Sequence, residues 1–103
     1  MKYNKLIRDK IPEIIQAKGQ VCVTEVLSDE KYLEMVDAKL DEELAEYHKD
    51  KNLEELADLL EVIYAAAEAR GFTREQLEHV RIEKEAERGA FRNRLLLLEV
   101  RDS

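Results

Sequence analysis

The sequence predicts an all-α domain, a single bundle of about four helices with short extended segments near both ends. Three observations lead there. Apolar residues recur at steps of three and four in long stretches, which is helical spacing. Each such stretch starts at a residue suited to capping a helix, and Gly19, Gly71 and Gly89 fall where helices would stop. Charged residues make up 40% of the chain while the AVILMFWYC set still reaches 45%, a combination that fits amphipathic helices and not disorder.

The elements follow in order. The opening is basic, with Asn4, Lys5, Arg8 and Lys10 around Leu6 and Ile7. Pro12 suits the first turn of a short helix from Ile11 to about Lys18. Gln20 to Leu27 holds Val21, Cys22, Val23, Thr24 and Val26, the most β-branched stretch, and reads as a short strand. Ser28 can cap a second helix running to about His48, with Asp29 and Glu30 in its first turn. Its stripe is Leu33, Val36, Leu40, Leu44 and Tyr47.

Asn52 can cap a third helix with Glu55 three residues on, and that helix runs through Ala69. Its second half, Val62 to Ala67, has little polarity on any face, so this helix reads as the central, most buried one. Thr73 with Gln76 is a capping-box pattern for a fourth helix ending near Gly89. The tail, Phe91 to Val100, contains four consecutive leucines and reads either as a buried strand, able to pair with 20–27, or as a docked helical turn.

Composition narrows the function. A chain of 103 residues has room for one small domain with a limited core, and such helical chains often complete it with a second copy of themselves. A formal net charge of −7 argues against general nucleic-acid binding. One cysteine, Cys22, allows no intrachain disulfide and fits a reducing compartment. No signal-like apolar region follows Met1, and no apolar run approaches a membrane span, so the expected location is cytoplasmic.

The acids carry the chemical signal. Glu43 and Glu46 form one i,i+3 pair, Glu55 and Asp58 another, with a short break at Lys49-Asp50-Lys51-Asn52. Helices folding back at that break would bring four carboxylates together, the donor type a hard divalent ion takes. Glu43 lies at the edge of its helix's apolar stripe at about 100° per residue. Glu55 and Asp58 point to the side that Val62, Ala65, Ala66 and Ala69 continue, so the acids would sit at one end of an alanine-lined face. Glutamate is also a common surface residue of helices, and the competing class is a helical interaction module with solvated acids.

Glu42-Glu43-x-x-Glu46 followed by Glu55-x-x-Asp58 resembles the EExxE…ExxD signature of the MazG-like all-α NTP pyrophosphatases. The opening Tyr3-Asn4-Lys5-Leu6-Ile7-Arg8-Asp9-Lys10-Ile11-Pro12 and the Arg88-Gly89-Ala90-Phe91 element are similar to a phosphoribosyl-ATP pyrophosphohydrolase-like subgroup. The resemblance implies a helical bundle assembled as a homodimer or homotetramer. It implies the reaction of a nucleoside triphosphate with water to give the monophosphate and pyrophosphate, with Mg²⁺ or Mn²⁺, in a house-cleaning role toward non-canonical nucleotides or as a phosphoribosyl-ATP pyrophosphatase. It also implies Glu43, Glu46, Glu55 and Asp58 as metal ligands and Glu42, the first acid of the motif, as a residue beside the ligands that orients water.

Such hydrolysis needs phosphate charge neutralised, a water made nucleophilic, and both held in line. Glu42 or Glu46 could accept the proton of that water. Lys84 and Arg88, i,i+4 on the fourth helix, and Lys5 and Arg8, with Lys10 beside them, are the candidate phosphate cations. For any one of them taken singly, an ordinary surface ion pair is the favoured reading. His48 and His79 read as exposed, Cys22 as a strand core residue, and Tyr64 and Phe91 as core.

Overall fold

A computed structural model describes residues 3–102; Met1, Lys2 and Ser103 lie outside this range. The described chain is all-helical: α1 (Ile11–Ala17), α2 (Asp29–Asp50), α3 (Leu53–Ala69) and α4 (Arg74–Arg88). The caps foreseen in the sequence start these helices. The Ser28 hydroxyl accepts from the Lys31 N–H at 3.2 Å, and the Asn52 side chain accepts from the Glu55 N–H at 2.9 Å. Thr73 and Gln76 exchange a full capping box, at 3.0 and 2.8 Å. Each cap satisfies an N–H that a helix start leaves without a partner.

The central unit is an antiparallel hairpin of α2 and α3. Lys51 makes its turn in the left-handed region (φ 52), its N–H bonded to the Tyr47 carbonyl at 2.7 Å. Leu33, Leu40 and Tyr47 are half-buried and Val36 is buried to 1% exposure, so most of the α2 stripe faces α3. Val62, Ala65, Ala66 and Ala69 are half-buried too. α4 joins the hairpin through Arg74, which bonds Glu61 at 3.2 Å and lies 4.3 Å from the Tyr64 ring centre.

Two expectations need correction. Residues 20–27 form no strand: Val21, Val23 and Val26 are about nine-tenths exposed or more, and Cys22 is half-buried in irregular chain. β-branched residues favour a pleated surface only where a neighbouring strand supplies one, and the 91–100 tail does not pair with them. That tail is neither strand nor docked helix; Phe91 is 97% exposed and Leu95 to Leu98 are almost as open. α3 keeps the largest share of its residues from full exposure, as expected of the central helix, while the fully buried hydrophobic side chain among the described residues is Val36 on α2.

Much apolar surface therefore stays uncovered. Leu53, Leu56, Leu60 and Ile63 line the outer side of α3 at steps of three, four and three, all exposed. The accessible surface is 9689 Å², roughly 60% above what a compact monomer of this mass presents. The radius of gyration is 18.4 Å, against about 13 Å for a compact domain of this length.

Candidate functional site

The hairpin turn brings the acids together. Antiparallel packing sets the last turns of α2 beside the first turns of α3, so residues separated by the turn become neighbours. Oxygens of Glu43, Glu55 and Asp58 all lie within 4.8 Å of one another, and those three side chains are half-buried. Oxygens of Glu46, Asp50 and Glu55 form a second set within the same limit, with Glu46 and Asp50 exposed. Glu55 belongs to both and is the hinge of the site. The four acids singled out in the sequence, together with Asp50, thus form two overlapping triads.

Asp50 and Lys39 are the residues that sequence reading missed. α2 continues two residues beyond His48, which carries Asp50 onto the face of Glu46 one turn earlier. Lys39 Nζ lies 3.3 Å from a Glu42 oxygen and 3.5 Å from Glu43 Oε1. The Lys39 and Glu43 side chains are only 15% and 13% exposed, the least exposed ion pair among the described residues. Both signals were present as i,i+4 spacing, Glu46–Asp50 and Lys39–Glu43.

The opening segment supplies two more cations. Arg8 Nη2 donates to Asp58 Oδ1 at 2.6 Å, and Lys5 Nζ lies 3.4 Å from Glu42 Oε1. Neither Lys84 nor Arg88 enters an ion pair among the described residues; the side-chain ion pairs within α4 are made by Glu78, His79, Arg81, Glu83 and Glu85. His48 and His79 are exposed, as expected. Surface depressions at the α3–α4 turn are lined by Glu68, Phe72, Thr73, Arg74 and Glu75. Glu68 lies about 15 Å along α3 from Asp58 at 1.5 Å per residue, so these depressions are separate from the acids.

Charge is not balanced across the site. Glu42, Glu43 and Asp58 each have a basic neighbour, whereas Glu46, Asp50 and Glu55 enter no ion pair among the described residues. The Glu55 carboxyl is raised from its ordinary value, first by partial loss of water and then by the charges of Asp58, Asp50, Glu46 and Glu43. A carboxylate with four acidic neighbours is the electrostatic environment that a bound cation would relieve.

The donor set can be tested against such an ion. Every candidate ligand is a carboxylate oxygen, the choice of Mg²⁺ and Mn²⁺. An octahedral ion with oxygens at about 2.1 Å places opposite ligands about 4.2 Å apart. Three ligands of one octahedron include at least two adjacent pairs, about 3 Å apart, and the Glu43, Glu55 and Asp58 oxygens, all within 4.8 Å of one another, are grouped closely enough to suit such an ion.

No protein-family model matches the chain, and no solved structure does. A protein of Mycolicibacterium smegmatis, described as uncharacterized, is 55% identical over 42 residues, covering 41% of this chain and 43% of that protein. The similarity thus spans less than half the length of either protein.

Proposed function

We propose that the chain is a divalent-metal-dependent nucleoside triphosphate pyrophosphohydrolase, releasing pyrophosphate and a nucleoside monophosphate. The observation that supports this most is the Glu43–Glu55–Asp58 triad, carried by two helices and including a carboxyl disfavoured as an anion first by partial loss of water and then by its acidic neighbours. Those three residues would hold Mg²⁺ or Mn²⁺. When bound, the ion would offset phosphate charge and make a water more acidic. Glu46, exposed and with an oxygen within 4.8 Å of one of Glu55, would accept a proton from water at the rim. Glu42 is held by Lys5 and Lys39, so its role is to fix those cations near the phosphates. Arg8 supplies a guanidinium suited to phosphate oxygens.

The same reading includes a homo-oligomer, homodimer or homotetramer. The open Leu53–Leu56–Leu60–Ile63 seam has the three–four spacing by which helices pair, and a second copy is the partner that would cover it.

One observation favours a second reading, a helical interaction module. Part of the acidic charge is already offset internally by Lys5, Arg8 and Lys39, while apolar surface is abundant. Pyrophosphate release from a panel of canonical and modified nucleoside triphosphates, with Mg²⁺ and with EDTA, separates the two. The enzyme reading requires metal-dependent release that Glu43→Gln and Asp58→Asn abolish; release equal in all three proteins, or in none, ends it.

A further inference from the structure

The opening segment reaches the acids from far away in sequence. Arg8 and Asp58 are 50 positions apart, and Lys5 and Glu42 are 37 apart, so neither contact is a by-product of helical spacing. Asp58 is at once the acceptor of the Arg8 guanidinium and one of the three acids grouped within 4.8 Å. A divalent ion drawing on Asp58 would meet a like-charged group already bonded to it. The Arg8 and Asp58 side chains are 57% and 42% exposed, and pairs that open contribute little. Three carboxylates acting on one ion outweigh a single exposed ion pair. Lys39 differs: it is mostly covered and anchored on α2 beside its own partners, so it stays in place.

We propose that Arg8 is an ion-sensitive latch. It holds the segment 3–10 against the acids when no ion is bound, and a divalent ion entering at Glu43, Glu55 and Asp58 releases it. The freed guanidinium then takes a phosphate oxygen, for which its planar fork is suited. Ion binding therefore precedes phosphate binding. This inference rests on the metal reading above.

The test uses the full chain with Mn²⁺ as the probe. Affinity is measured by calorimetry. Release is followed by mass spectrometry of tryptic cleavage at Lys5–Leu6 and Lys10–Ile11, with sodium chloride matching the ionic strength. Saturating Mn²⁺ should speed cleavage at these bonds several-fold in the wild type. Arg8→Gln should be cut rapidly with or without Mn²⁺, and should bind Mn²⁺ about two- to five-fold more tightly, the scale of an exposed ion pair. Arg92→Gln, which removes the same charge from the tail, should behave as the wild type. Wild-type cleavage unchanged by bound Mn²⁺, or equal Mn²⁺ affinity in Arg8→Gln and wild type, overturns the latch and leaves the metal reading standing. Absence of Mn²⁺ binding in all three proteins ends both.

Discussion

The Asn52 side chain accepts the backbone N–H of Glu55 at 2.9 Å, so the residue that starts α3 also sets the position of the acid shared by both triads. Local capping and the site are one piece of structure. Asn52→Ala should cost about 1 kcal/mol of stability, the usual loss for a helix N-cap, as read from urea unfolding. It should also weaken Mn²⁺ binding, because the first turn of α3 frays at Glu55. Asn52→Asp keeps the acceptor and should retain the stability.

Divalent ions should stabilise the fold. A ligand at a hundred times its dissociation constant adds about 2.7 kcal/mol when it binds only the native state, and a domain of this size gains roughly 4–8 °C in Tm per kcal/mol. Thermal unfolding with Mn²⁺ and with EDTA at equal ionic strength reads this directly. Glu43→Gln and Asp58→Asn should lose most of the gain. A wild-type Tm indifferent to Mn²⁺ would favour the interaction-module reading.

Glu55 sets a pH dependence of defined sign. Its folded-state carboxyl is raised, so the native chain binds its proton more firmly than the unfolded chain. The Glu55 contribution is therefore most favourable at low pH and is lost as pH climbs from the ordinary carboxylate value through the raised one. Without metal, Glu55→Gln should be more stable than the wild type at pH 7, and the difference should vanish below about pH 4, where the wild-type carboxyl is protonated. With Mn²⁺ the order should reverse. Unfolding at several pH values, with and without the ion, checks both halves.

The helices were legible because their signals are local. Ser28, Asn52 and Thr73 with Gln76 announce starts within one turn, and the Leu33–Val36–Leu40 spacing announces the face that packs. The pairing of Glu43 with Glu55 and Asp58 was legible too, since only a tight turn separates the two motifs. Val21 to Val26 misled because β-propensity has no force without a partner edge. Arg8 on Asp58 had no local pattern to announce it; only the path of the chain decides which acid a distant arginine meets.

Val36 should be the most sensitive apolar position of the hairpin. It is 1% exposed, whereas its stripe neighbours Leu33, Leu40 and Tyr47 keep partial contact with water and can relax around a change. Val36→Ala removes two carbons' worth of burial and leaves a void, for a loss of about 2 kcal/mol. Denaturant unfolding should show this as a lower midpoint with an unchanged slope.

The outer seam of α3 leads to the last prediction. Leu53, Leu56, Leu60 and Ile63 repeat at the spacing of a helix-pairing face, yet no described element covers them. They lie on the same helix as Glu55 and Asp58, so whatever covers the seam also steadies the acids. A stable interface buries about 1,200–2,000 Å² in total, and the excess surface of the isolated chain is large enough to supply it. Sedimentation should find an oligomer at micromolar concentration. Leu60→Asp places a charge in the middle of the seam and should shift the protein to monomer with a lower Tm. Leu98→Asp, on the open tail, is the matched control: an equal effect there would assign the contact to the tail and not to α3. A wild type that sediments as monomer would leave the seam as bare surface and remove self-association from the account.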